Sequence, residues 1–212
     1  VQAFPWLDVA SLAQSADLIS IAGHKFGSPK GVGALVVRNG IEISPMQLGG
    51  GQELGIRSGT QNTAAIVAMA AAADVTLMER ELTVERVAKM RDVLADNLQG
   101  IPQSYETGVS LHNGIADRSH KIAGSCHFCF EGIESEALLY MLEQEHILAS
   151  AASSCSSGAQ DPSHVLAAMG YSRNLAGGSF RLSLGLATSW DDVDVSMIAV
   201  PKFIVFLIKT GS

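Results

Sequence analysis

The sequence has 212 residues, 47% of them hydrophobic, which is enough apolar material to bury a core in one or two domains and argues against a disordered or fibrous chain. Only 17% of residues are charged, 14 basic against 21 acidic, and the net charge of -7 offers no basic field for nucleic acid or an anionic membrane. With 21 glycines and 6% aromatics, the composition suits tight turns and backbone-lined small-molecule sites better than a base-stacking platform, so a small-molecule enzyme is the leading class.

In chain order, residues 1–9 lack the basic start and sustained apolar run of a signal peptide. Residues 18–21 and 32–37 read as strands around a glycine-rich turn, Gly23-His24-Lys25-Phe26-Gly27-Ser28-Pro29-Lys30-Gly31, which places Lys25 at an element end. A second glycine-rich connection, 49–60, leads into a helix expected over 62–98 with Asn62 as its cap. That length implies a bend or a passage between domains, and the pattern after Gly100-Ile101-Pro102 becomes that of a smaller α+β unit. There, strands are expected at 122–130, 147–151 and 180–184, and helices at 134–145 and 163–169, the last opened by Pro162. Ser189-Trp190-Asp191-Asp192 has the spacing of a capping box before a final helix. The apolar run 198–208 is too short for a membrane span and is interrupted by Pro201 and Lys202, so a packed helix is expected.

Three cysteines do not make a disulfide lattice, and a reducing compartment, the cytoplasm, is expected. Cys126-His127-Phe128-Cys129 superficially suggests a metal or dithiol site, but residues three apart on a strand face opposite ways and no second ligand pair exists, so no metal is expected. Cys155 sits among small polar residues, Ser153-Ser154-Cys155-Ser156-Ser157-Gly158, where a thiol can be presented as a nucleophile. Lys25, in its turn, can form a Schiff base with an aldehyde cofactor, contact a phosphate, or simply be a surface amine. Arg57 and Arg181 are the candidate anion clamps, with an ordinary ion pair as the alternative for each.

Taken in order, the Lys25 turn, the segment Gly49-Gly50-Gly51-Gln52-Glu53-Leu54-Gly55-Ile56-Arg57-Ser58-Gly59-Thr60, the loop around Cys155 and Arg181-Leu182-Ser183-Leu184-Gly185 resemble the cysteine desulfurases, pyridoxal-phosphate enzymes of the aminotransferase-like superfamily. The resemblance runs over essentially the whole chain. It implies an α/β chain of fold type I, with residues 1–100 the C-terminal part of a three-layer αβα cofactor-binding domain plus its connecting helix, and 101–212 a small α+β domain. It also implies pyridoxal 5'-phosphate as cofactor, held by Gln2 at the phenolic oxygen, by Lys25 covalently, by His24 near the phosphate, and by Thr60 at the phosphate of the opposite subunit. Arg181 looks like the clamp for the carboxylate of L-cysteine and Cys155 like the nucleophile that takes sulfur as a persulfide. The implied partners are a second copy in a homodimer and a sulfur acceptor or iron-sulfur scaffold protein.

Three positions depart from the family pattern: Ala22 replaces a common hydroxyl contact, Gln52 a frequent histidine and Leu54 a frequent arginine. The family's pyridine-pairing aspartate, phosphate loop and ring-stacking histidine fall before Val1, so the chain is expected to be the C-terminal half of a subunit, completed by an N-terminal half. A related lyase acting on selenocysteine or another sulfur amino acid, and an inactive fragment serving as an interaction module, are the alternative readings.

Overall fold

A computed structural model gives the structure of residues 1–151 and 163–210, and Cys155 lies outside these described residues. The chain divides into two compact units, Val1–Leu82 and Thr83–Ser212. The boundary falls inside one long helix, whereas the sequence pattern changes at that helix's end.

In the first unit a short helix, α1 (Val9–Ala13), is capped by Asp8, whose carboxylate accepts from the Ala10 amide at 3.0 Å. Strand β1 (Leu18–Ala22) pairs antiparallel with β2 (Gly33–Val37), in register from Leu18 against Val37 to Ala22 against Gly33. Between them, Gly23–Lys25 forms a 3-10 turn. The 37-residue helix α2 (Thr63–Gln99) begins where Asn62 Oδ1 accepts from the Ala65 amide, as its cap spacing predicts. Phe4, Val9, Ala13, Ile19, Ile21 and Leu77 line an apolar cavity of about 280 Å3 within this unit.

In the second unit, the C-terminal half of α2 buries Val87, Met90, Leu94, Ala95 and Leu98, a spacing of three and four that keeps one helical face on the core. An antiparallel sheet follows in the order β3 (Ser104–Glu106), β6 (Ser125–Phe130), β7 (Ser179–Ser183). Its core face carries Cys126, Phe128, Phe130, Phe180 and Leu182, and the Phe128–Phe130 and Phe130–Phe180 ring centroids lie 5.8 and 6.4 Å apart. Gly178 precedes β7 because any Cβ there would run into the Phe130 carbonyl, and the close approach lets the Phe130 amide donate to Gly178 O at 3.0 Å. A hairpin, β4 (Ser110–His112) and β5 (Ile115–Asp117), turns on Asn113-Gly114, both with positive φ, the turn chemistry that two-residue hairpins demand.

Helices α3 (Ser135–Gln144) and α6 (Trp190–Thr210) pack on each other, and α4 (His164–Ala168) and α5 (Arg173–Gly177) complete the unit. The capping box forms as read: Ser189 N donates to Asp192 Oδ2 at 2.8 Å and Asp192 N to Ser189 Oγ at 3.2 Å. Helix α6 continues through Pro201 and buries Phe203, Ile204 and Leu207, so tertiary burial outweighs the hydrogen bond a helical proline removes. The strand expected at 147–151 is corrected to a single antiparallel bridge between Ser150 and Arg181. Its physical reason is that the Ile147 amide is already spent on Leu142 O, closing the end of α3. Among the described residues no helix is long and apolar enough to cross a membrane.

Candidate functional site

The Lys25 turn is built by its glycine. Gly23 is buried, a Cβ there would sit 2.7 Å from Ser28 Oγ, and its carbonyl accepts from the Phe26 amide at 3.0 Å and the Ser28 amide at 3.2 Å. The chain therefore folds back tightly after β1, burying Phe26 and Ser28 while leaving His24 and Lys25 side by side and exposed. The Phe4 and Phe26 rings, 4.5 Å apart, fix the segment carrying Gln2 against the same turn. Arg80 reinforces this contact, donating to Phe4 O at 3.0 Å with its guanidinium 5.7 Å from the Phe4 ring centroid.

The connection 49–60 is a self-braced loop. Ser58, buried, accepts from the Gly51 amide at 3.3 Å, and Gln52 Oε1 accepts from the Gly59 amide at 2.9 Å. Gln52, a departure from the family pattern, thus holds the loop that presents Arg57 and Thr60, both exposed. Leu54, another departure, lies in the loop's 3-10 turn with a φ of 57° and is almost fully exposed. Gln2, His24, Lys25 and Thr60 all fall in the first unit. Their donor set, an amide, an imidazole, an amine and a hydroxyl with no carboxylate among them, fits an anionic aldehyde.

Arg181 lies in the second unit, on the sheet face opposite the phenylalanine core. Ser150 holds its backbone from one side, with the Arg181 amide donating to Ser150 O at 2.8 Å and the Ser150 amide to Arg181 O at 3.1 Å. On the other side its cross-strand partner is His127. The Arg181 Nε is buried with no hydrogen-bond partner among the described residues, as is the Nε of Arg80.

The cations that do serve structure lie elsewhere. Glu106, with a side chain 1% exposed, takes Arg118 Nη2 and Lys121 Nζ, each at 2.8 Å. Burial pushes the Glu106 carboxyl up, but the hydrogen bonds from Arg118 and Lys121 outweigh it and hold the group below the ordinary carboxylate range. Cys126 and Cys129 are buried free thiols, and burial pushes them up to about 12 and about 11 respectively. Among the described residues no three metal-ligating side chains converge.

Two residues at this face escape a reading of the sequence alone. His127 Nδ1 lies 2.7 Å from the Thr107 hydroxyl. Burial, then Lys121 and Arg181, push the imidazole down to about 4, so it is neutral. Only the strand register, which no local pattern encodes, brings Thr107, His127, Arg181 and Ser150 into one row.

Comparison with known proteins places the chain among relatives. The cysteine desulfurase IscS of Clostridium botulinum is 38% identical over 205 residues, covering 96% of this chain and 50% of the relative. The NifS-like protein from Rickettsia africae superposes with a TM-score of 0.82 at 25% identity, over 97% of this chain and 52% of that one. A structure of SspA in complex with cysteine gives 0.61 at 30% identity, over 86% and 48%. The chain thus spans about half the length of the curated relatives it matches and shares their mixed α/β fold. The family profile of class-V aminotransferases matches residues 1–195, from before the Lys25 turn to beyond Arg181, and the chain belongs to that family.

Proposed function

We propose that this chain is the cofactor-lysine and substrate-clamp half of a cytoplasmic cysteine desulfurase that uses pyridoxal 5'-phosphate to convert L-cysteine to L-alanine and an enzyme persulfide. The observation that carries the reading is Arg181 Nε, a buried donor without a partner among the described residues, in a chain whose Lys25 turn leaves an exposed amine at the end of a strand. In this reading residues 1–100 belong to the larger, cofactor-binding domain and 101–212 form the smaller one.

Pyridoxal phosphate, when bound, supplies an aldehyde for amine capture and a ring that accepts electron density from the substrate Cα. Lys25 Nζ would be the amine that holds the cofactor and, when free, the base that moves the substrate Cα proton. Gln2 would hold the cofactor at its phenolic oxygen and His24 at its phosphate, and Thr60 would serve the phosphate of the partner subunit in a homodimer. Arg181 orients the substrate through its carboxylate with two parallel hydrogen bonds. The Cys155 thiolate attacks the substrate sulfur. The new S–S bond forms as the Cβ–S bond breaks, its electron pair stays with the carbon skeleton, and protonation there gives alanine. The persulfide then passes to a sulfur acceptor or iron-sulfur scaffold protein.

The test is an absorbance spectrum with pyridoxal phosphate, followed by alanine and sulfide assays with L-cysteine, on the chain alone and supplied with an N-terminal half. Lys25→Ala is expected to lose both the visible absorbance band and turnover. Cys155→Ser is expected to keep the band and lose the persulfide seen by mass spectrometry. Persulfide formation that survives Cys155→Ser would remove that residue from the mechanism.

A further inference from the structure

The row Thr107, His127, Arg181, Ser150 crosses the sheet on the face away from the phenylalanine core. Directly opposed residues of an antiparallel pair send their side chains to the same side, with Cβ atoms about 5 Å apart. His127 and Arg181 are such a pair, and both are only partly buried. The row therefore sets an imidazole beside a guanidinium whose Nε is buried without a partner among the described residues.

The ring's tautomer follows from its surroundings. Thr107 Oγ1 lies 2.7 Å from Nδ1, a short contact, and 3.5 Å from the His127 carbonyl, a long one, so the hydroxyl hydrogen is best used on Nδ1. With Nδ1 accepting, the proton of a neutral ring sits on Nε2. Two N–H donors, one on each of two adjacent strands, thus share one face.

We infer that His127 is a second carboxylate-binding residue, its Nε2–H joining the Arg181 guanidinium on the α-carboxylate of the amino-acid substrate, with Thr107 as the positioning residue that fixes the donor tautomer. The inference rests on the proposed role of Arg181 and adds a specificity determinant to it. A neutral donor suits the place. Lys121 already stands near the ring, with its Nζ on Glu106 at 2.8 Å and on the Thr107 carbonyl at 3.0 Å, and a charged imidazole would be repelled by both Lys121 and Arg181. The neutral N–H adds a hydrogen bond to the carboxylate without a second buried charge to desolvate.

The experiment titrates the full chain, 15N-labelled, with 3-mercaptopropionate, a thiol carboxylate that lacks the amine and so binds without chemistry. Both the His127 Nε2 and the Arg181 Nε resonances are expected to shift with one binding constant. His127→Phe is expected to weaken binding about tenfold, the loss of one charge-assisted hydrogen bond, while His127→Gln, which keeps an N–H near Nε2, stays within about threefold. Thr107→Val is expected to leave a mixture of tautomers in the imidazole 15N shifts. In the assembled enzyme, His127→Phe should raise KM for L-cysteine about tenfold with little change in kcat, because uniform binding is lost. If the Arg181 resonance shifts on binding while His127 stays still and His127→Phe binds as tightly as wild type, the inference falls and the role of Arg181 stands. If binding is indifferent to Arg181→Gln, the proposed clamp itself falls, and the inference with it.

Discussion

Lys25 and Cys126 illustrate how surroundings separate an accessible group from a sealed one. Lys25 is exposed at the end of a glycine-built turn, whereas Cys126 is sealed on the phenylalanine face of the sheet and Cys129 on the other face against Leu166 and Ala176. With their thiols pushed up to about 12 and about 11, these two cysteines hold little thiolate at pH 8. Brief treatment of the native protein with iodoacetamide is therefore expected to modify neither, and both should label once urea unfolds the chain, as peptide mass mapping will read. His127 makes a pH-dependent contribution of definite sign. Its folded value, about 4, lies below the ordinary 6.5, so the unfolded chain binds the proton more readily and stability falls as pH drops through that window. Glu106 has the same sign lower down, its contribution being lost as pH falls below the ordinary 4.5. The urea midpoint is expected to decline between pH 7 and pH 4.5 in the wild type, and His127→Gln should remove about 1–2 kcal/mol of that decline.

At the scale of the element, helix ends and buried ions set the stability. The reciprocal Ser189–Asp192 cap satisfies two otherwise orphaned amides at the start of α6, and Ser189→Ala is expected to cost about 1 kcal/mol, measured by urea unfolding. Glu106→Gln should cost more, about 3 kcal/mol, because it leaves Arg118 and Lys121, each under 10% exposed, facing a neutral group. Arg118 keeps Asp96 at 2.8 Å, which limits the loss. The same logic explains why residues 147–151 do not form a strand despite their apolar pattern. A backbone amide committed to ending α3 cannot also join a ladder, so only Ser150 pairs with Arg181. That one bridge matters to function, since it fixes the backbone beneath the proposed clamp.

On the scale of the whole molecule, the two units differ in how far they close a core. The second buries a continuous set from Val87 to Leu207, while in the first Leu35, Val36, Met46, Leu48 and Leu54 remain exposed. Hydrogen exchange followed by mass spectrometry is expected to be slowest in β6, the second half of α2 and α6, and faster in the β1–β2 hairpin, whose side chains contribute little burial. Slow exchange confined to the hairpin would contradict this ranking. The sequence by itself determined the turn that presents Lys25, the start of α2 at Asn62, the capping box of α6 and the burial of the Cys126–Cys129 pair, because each depends on residues close along the chain or on a strict local period. Its local signal also included the Asn113-Gly114 hairpin, which only attention to turn chemistry would have found. Tertiary structure alone decided that α6 runs on through Pro201, that the units divide within α2, and that Thr107, His127, Arg181 and Ser150 meet in one row. Those outcomes depend on strand register and shared burial between residues up to 74 positions apart, as from Thr107 to Arg181, and no local spacing carries that information.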